Sequence, residues 1–202
     1  MSIPRLLPYG PRAVLVEYDT LDEVMGVTRS LDQAEWPTLV EVVPALRTVL
    51  VVHDGSGLPD EVRALLHAPP VGERPSHTRV EIAVSYEGPD LIEVADRCAM
   101  TVDRLIAMHS EAEYVVAFCG FVPGFSYLTG LPGPLHLPRR PTPRTSVPSG
   151  SVAIANEYSA VYPAATPGGW HLLGRTTACL WDDEREPPAL LVPGTTVTFR
   201  PV

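Results

Sequence analysis

The spacing of apolar positions changes character about a third of the way along the chain. Ala13–Tyr18 is rich in β-branched and apolar residues and predicts a strand. Thr20 followed by Glu23 is a capping-box pair, and Leu21, Val24, Thr28 and Leu31 then recur at helical spacing. The helix they predict ends before Trp36-Pro37. Leu39–Val43 and Thr48–His53 predict two further strands turning near Pro44. After the loop Asp54-Gly55-Ser56-Gly57, a short helix is expected over Pro59–His67, with Val62, Leu65 and Leu66 inward. This order predicts a small α+β layer. Ala68–Ser76 carries Pro69, Pro70 and Pro75 and predicts a linker. The expected division is therefore residues 1–75 and 76–202.

The second part begins with a strand at Thr78–Ser85. Amphipathic helices follow at Asp90–Cys98 and Val102–Ser110, the second capped by Thr101. Strands are then expected at Tyr114–Phe118, Ser151–Ala155, Ala160–Tyr162 and His171–Arg175, with a final pair at Ala189–Val192 and Thr196–Arg200. A long Pro-rich connection separates the first of these from the rest. Many short strands with turn signals between them and little helix predict a closed or nearly closed β-barrel. The fold class is thus α+β: a small N-terminal α/β sandwich followed by a barrel. The run Asp182-Asp183-Glu184-Arg185-Glu186 reads as a solvated hairpin tip.

Charge narrows the function classes. The chain has a formal net charge of −9, which disfavours nucleic acid and anionic membrane as partners. No apolar run approaches the roughly 18–20 residues of a membrane span, and the N-terminus has no signal-peptide pattern, so a cytoplasmic location is expected. All 15 basic residues are arginine. Without lysine the chain cannot carry covalent biotin or lipoate, form a pyridoxal Schiff base through a side-chain amine, or supply a P-loop lysine. The three cysteines, Cys98, Cys119 and Cys179, are widely spaced and read as reduced packing thiols. A catalytic thiol at Cys119 is the lesser reading. The six histidines show no zinc spacing, so no metal is expected.

Against this acidic background, the stretch Glu113–Thr176 is distinctive. Between Tyr114 and Trp181 the only carboxylate is Glu157, while Arg139, Arg140, Arg144 and Arg175 all fall there among dense glycine and proline. Rigid loops bearing guanidinium forks suit a small anion. Arg139 and Arg144 are the chosen anion contacts, with Gly150 and Ser151 as further backbone N–H donors. Phe121, Phe125, Tyr127 and Trp170 are candidates to wall a pocket, though each serves equally as barrel packing. His171 and His109 are the acid/base candidates, because histidine alone titrates near neutrality unperturbed. For His109, at a helix end, a structural hydrogen-bonding role is the stronger reading.

Three ordered motifs in this stretch carry a family resemblance. They are Gly120-Phe121-x-Pro123-Gly124-Phe125-x-Tyr127-Leu128, then Pro138-Arg139 through Pro143-Arg144, Val147-Pro148 and Gly150-Ser151-Val152, then Pro167-Gly168-Gly169-Trp170 and Gly174-Arg175-Thr176. They resemble the family of the 5-oxoprolinase B subunit, also called allophanate hydrolase subunit 1, which includes the sporulation-kinase inhibitor KipI. Where that family reads Pro-Gly-Asp before its last strand, this chain has Pro193-Gly194-Thr195, and Tyr86–Asp90 is shorter than the usual form. The resemblance implies a cyclophilin-like barrel. It also implies a place in an ATP-dependent complex that opens the 5-oxoproline lactam to glutamate. There the chain would work beside the 5-oxoprolinase A and C subunits, the latter also called allophanate hydrolase subunit 2, with little activity alone. The resemblance leaves two other readings open: a KipI-like inhibitor of a sensor histidine kinase, and the carboxyltransferase half of a urea carboxylase or allophanate hydrolase system. A peptide-binding cyclophilin-like module is the bland alternative.

Overall fold

Alternation in the first third of the chain becomes an antiparallel sheet with two helices. In a computed structural model, which describes residues 4–33, 36–68 and 78–202, the chain forms two compact units, Met1–Arg74 and Pro75–Val202. The linker expected over Ala68–Ser76 lies, apart from Ala68, outside the described residues. In the first unit, β1 (Arg5–Pro8), β2 (Ala13–Glu17), β3 (Leu39–Pro44) and β4 (Thr48–His53) are ordered β1-β2-β4-β3. Strand β1 was not expected. It is short and proline-ended, and pairs with β2 as an edge.

Helix α1 (Leu21–Gln33) opens with the predicted capping box. Glu23 Oε2 accepts the Thr20 N–H at 2.9 Å, and Thr20 Oγ1 accepts the Glu23 N–H at 3.3 Å. Val24, Val27 and Leu31 bury against Val16, Val49 and Val51 and against Val62 and Leu66 of α2 (Asp60–His67). Each such buried side chain contributes roughly 1.5–3 kcal/mol before entropy is counted.

The second unit contains β5 (Arg79–Val84), α3 (Leu91–Arg97), α4 (Val102–Ser110), β6 (Glu113–Cys119) and β7 (Ser126–Thr129). After a 3-10 turn at Gly133–Leu135 come β8 (Arg144–Val147), β9 (Ser151–Ala155), β10 (Tyr158–Val161), β11 (Thr166–Gly168), β12 (His171–Arg175) and β13 (Thr196–Pro201). Seven strands form one sheet in the order β12-β9-β10-β7-β6-β13-β5. Its two edges meet where Ser85 and Arg175 exchange N–H···O bonds, both 2.9 Å, so the barrel is all but closed. Gly174 permits this approach, since a Cβ there would collide with the Ser85 carbonyl oxygen. The remaining strands, β8 and β11, pair only with each other.

Register sorts the side chains onto two faces. Val116, Leu128, Val152, Ile154, Val197 and Phe199 join the core with Leu105 of α4. On simple alternation Phe118 would share the face of Tyr114 and Val116. A bulge between Val116 and Phe118 turns it over, and Phe118 then lies opposite Tyr127 on the other face. The final pair of expected strands is corrected. Thr196–Pro201 is a strand, running parallel to β5, but Ala189–Val192 is not. Ala189 makes only an isolated bridge to Trp181, at the base of the turn that carries the acidic run 182–186. Strands β7 and β8 lie in the expected Pro-rich connection and β11 between two expected strands, all too short and too interrupted by Gly and Pro to show alternation.

Candidate functional site: an aromatic cavity beside Arg139

The inverted face of the sheet carries a continuous aromatic cluster. Phe118 stacks on Tyr127 with ring centroids 4.3 Å apart. Phe125 makes edge contacts to Tyr127, Tyr162 and Trp170 at 5.1, 5.3 and 5.7 Å. Phe121, Phe125, Tyr127, Tyr162, Trp170 and Arg139 surround a cavity of about 270 Å³. The four aromatic residues singled out from the sequence are therefore gathered on one hollow, beside Arg139. Edge-to-face pairs of this kind hold rings rigidly, each adding about 0.5–1.5 kcal/mol beyond burial. Phe121 is the exception to burial. It is 60% exposed and adopts a left-handed backbone with φ of +76°, uncommon for a bulky residue.

The guanidinium cluster is not free as a whole. Asp90, whose side chain is 3% exposed, binds Arg140 Nη1 at 2.9 Å and Arg144 Nη2 at 2.6 Å through one oxygen. Its other oxygen accepts the Leu172 N–H at 2.7 Å. Burial alone would raise the Asp90 carboxyl. The Arg144 and Leu172 hydrogen bonds and the two arginine charges outweigh it and hold the group below its ordinary value. Arg140 also reaches Glu93 at 3.2 Å, and Arg175 pairs with Glu87 at 2.9 Å. The acid-free stretch is thus neutralised by carboxylates at residues 87–93, which the sequence separates from it and the fold returns. The expectation for Arg144 is corrected to that extent: its first partner is Asp90. Arg139 has no carboxylate partner among the described residues, is exposed, and lines the cavity.

Gly150 and Ser151 are also reassigned. The Gly150 N–H donates to Tyr162 O at 2.7 Å and the Ser151 N–H to Pro148 O at 3.3 Å, so both donors serve the turn. Ser151 lines a separate hollow of about 430 Å³ with Pro89, Gly174 and the Glu87–Arg175 pair.

Of the two readings of His109, the structure favours the hydrogen-bonding core residue over the acid/base candidate. It is fully buried, stacks on Phe199 at 4.7 Å, and has both ring nitrogens engaged. Tyr86 O–H lies 2.7 Å from Nδ1, and Ser159 Oγ lies 3.0 Å from Nε2. Ser159 Oγ itself donates to Ala153 O, so Nε2 carries the proton and Nδ1 accepts from Tyr86. Burial lowers its pKa to about 3, which keeps the ring neutral. His171 is buried too. Its Nε2–H donates to Pro138 O at 2.9 Å, leaving Nδ1 without a partner. It follows Trp170 in β12 and does not line the cavity. Burial pushes the Cys119 thiol up, and Sγ sits 3.4 Å from Ser126 Oγ, as a packing cysteine does. Thr195, standing where the resemblance expects Asp, is buried with an unpartnered hydroxyl.

Two residues of the site were not singled out from the sequence. Asp90 stands just before α3 in Gly88-Pro89-Asp90, where an acid reads as a helix start. Tyr162 reads as the last residue of a strand, with nothing local to mark it.

A model of the carboxyltransferase domain, subdomain C and D, matches residues 4–191, a span that includes the cavity and its arginines. The chain belongs to this family. Among its relatives in the carboxyltransferase-domain family is the 5-oxoprolinase B subunit of Escherichia coli O157:H7, 42% identical, with 100% of this chain and 97% of that protein covered. The 5-oxoprolinase B subunit of Bacillus subtilis strain 168 is 32% identical over 94% of this chain and 89% of its own. The crystal structure of TTHA0988 superimposes with a TM-score of 0.82 at 33% identity over 95% of this chain. This chain spans only 40% of that longer one.

Proposed function

We propose that this chain is the B subunit of an ATP-dependent 5-oxoprolinase, which opens the 5-oxoproline lactam to L-glutamate. In this reading its cavity takes the anionic substrate. The observation that carries it is Arg139: a guanidinium without a carboxylate partner, set at a hollow walled by rigid aromatic rings. The substrate is a small flat ring bearing one carboxylate. Its ring packs against the aromatic wall that Tyr127 and Trp170 form, and its carboxylate meets the Arg139 fork. The hollow of about 270 Å³ lies below the ~300–1,000 Å³ range of pockets for drug-sized ligands. In this reading ATP enters at the level of the complex, and the hollow serves the smaller substrate.

Lactam resonance resists hydrolysis, and phosphorylation of the lactam oxygen makes the carbonyl a better electrophile. That chemistry needs the A and C subunits, and the chain alone is expected to be inactive. Of the two histidines, only His171 keeps a ring nitrogen, Nδ1, without a partner among the described residues; it is buried outside the cavity, so neither it nor His109 is given the proton-moving role. The cell compartment expected for such a complex is the cytoplasm. Among the described residues no helix is long and apolar enough to cross a membrane.

The test is ATP-dependent glutamate release from 5-oxoproline by the A and C subunits, with and without this chain. Activity only in the full mixture is expected. Arg139→Ala should raise KM about tenfold or more, the scale of a lost charge-assisted hydrogen bond. An assembled complex with no turnover would overturn the assignment and return weight to the kinase-inhibitor and urea-carboxylase readings.

A further inference from the structure

Besides Arg139, two phenols, Tyr127 and Tyr162, line the cavity. The rest of the lining is aromatic, proline or glycine, and no carboxylate lines the hollow among the described residues. Burial raises the Tyr162 phenol, and the charges of Arg139 and Arg144 pull against that shift. Arg144 Nη1 and Arg140 Nε are buried without a hydrogen-bond partner among the described residues. Gly168 lies directly against the hydroxyl, and a Cβ there would collide with the phenolic oxygen. Gly168 is opposite Arg144 in the β8–β11 pair, which fixes these groups relative to one another. The fold has thus reserved space at Gly168 for the Tyr162 hydroxyl at the edge of the hollow.

We propose that Tyr162 reads the carboxylate of the ligand, its O–H acting with the Arg139 guanidinium as an anion site at the aromatic cavity. Donors that converge on an anion are left unpaired when the ligand lacks one, which is a strong means of rejection. Flat aromatic walls restrict the anion to one carried on a small planar or near-planar ring. The proposal rests on the reading that this chain binds the 5-oxoproline of the complex. It adds that discrimination for the carboxylate is made on this chain, and largely by one hydroxyl.

Two variants separate binding from folding. Tyr162→Phe deletes the hydroxyl and keeps the ring contacts. Gly168→Ala keeps the hydroxyl and displaces it. The purified full chain is titrated with 5-oxoproline and with 2-pyrrolidinone, the same lactam without a carboxylate, by ligand-observed NMR. Wild type should bind 5-oxoproline at least about tenfold more tightly than 2-pyrrolidinone, as expected for hydrogen bonds to a charged group. Both variants should lose that preference while melting as cooperatively as wild type. In the reconstituted complex, Tyr162→Phe should raise KM with kcat little changed. Undiminished preference in Tyr162→Phe would overturn the proposal while leaving the 5-oxoprolinase assignment standing. So would an active complex from which this chain, once isolated, binds neither compound. Binding with the expected preference in a complex that assembles without turnover would instead support this site and overturn the assignment of activity.

Discussion

At the scale of single residues, Asp90 shows how a buried charge determines which arginines remain available. One carboxylate takes up Arg140, Arg144 and a backbone N–H, with 3% of its side chain exposed. Such an arrangement adds little stability over an apolar equivalent, but removing one member strands the others. Asp90→Asn keeps an acceptor for Leu172, leaves Arg144 without its countercharge and leaves Arg140 with Glu93 alone. It is expected to destabilise the second unit by about 3–5 kcal/mol, measured by urea denaturation. A loss under about 1 kcal/mol would mean that solvent already screens the cluster. The same residue explains what the sequence could not disclose about the site. With Glu157 the sole acid between Tyr114 and Trp181, all four arginines look free in the sequence, because pairing across dozens of positions leaves no local trace. Arg139, Tyr127 and Trp170 were legible as a group because they lie in short Gly- and Pro-marked motifs.

At the scale of elements, legibility followed local signals. The capping box of α1, the Thr101 cap of α4 and strands β4, β9 and β12 stand where propensity and pattern put them, since each is specified within a few residues. What escaped was set by long-range pairing: the bulge that turns Phe118 over, the two-stranded β8–β11 pair, and the parallel docking of β13 on β5. Barrel closure belongs to this second kind. It depends on Ser85 and Arg175 exchanging hydrogen bonds, and on Gly174 admitting the Ser85 carbonyl. Gly174→Ala should therefore cost about 1–3 kcal/mol, the usual range for overpacking a tight contact. Hydrogen exchange should show protection lost first at the Ser85 and Arg175 amides. If those amides keep wild-type protection in the variant, closure does not depend on this contact.

For the molecule as a whole, the decisive variable is pH. His109 is neutral in the folded core, with its pKa lowered to about 3 from 6.5 by burial among Tyr86, Tyr114, Ser159 and Phe199. Between those two values the unfolded chain binds a proton that the folded chain refuses. Stability is therefore full above pH 6.5 and declines as pH falls below it, at up to about 1.4 kcal/mol per pH unit. Asp90 acts in the same direction but lower down. Its folded pKa is depressed, so its contribution is present above the unfolded value of 3.8 and is lost as pH falls through the folded one. The net charge of −9 opposes both, because protonating surface carboxylates relieves self-repulsion. That relief begins only as ordinary carboxylates titrate, near about pH 4 to 5. The interval from about pH 6.5 to 5 thus reports the histidines, and comparison with a variant assigns the share of His109. The urea midpoint, followed through emission of the buried Trp170, should fall steadily across it in wild type. His109→Gln offers a donor and an acceptor without titrating, and should be less stable at about pH 8 yet fall less steeply than wild type across the interval. A wild-type midpoint that does not move there would show that the ring protonates in the folded state, and the neutral core histidine would have to be abandoned.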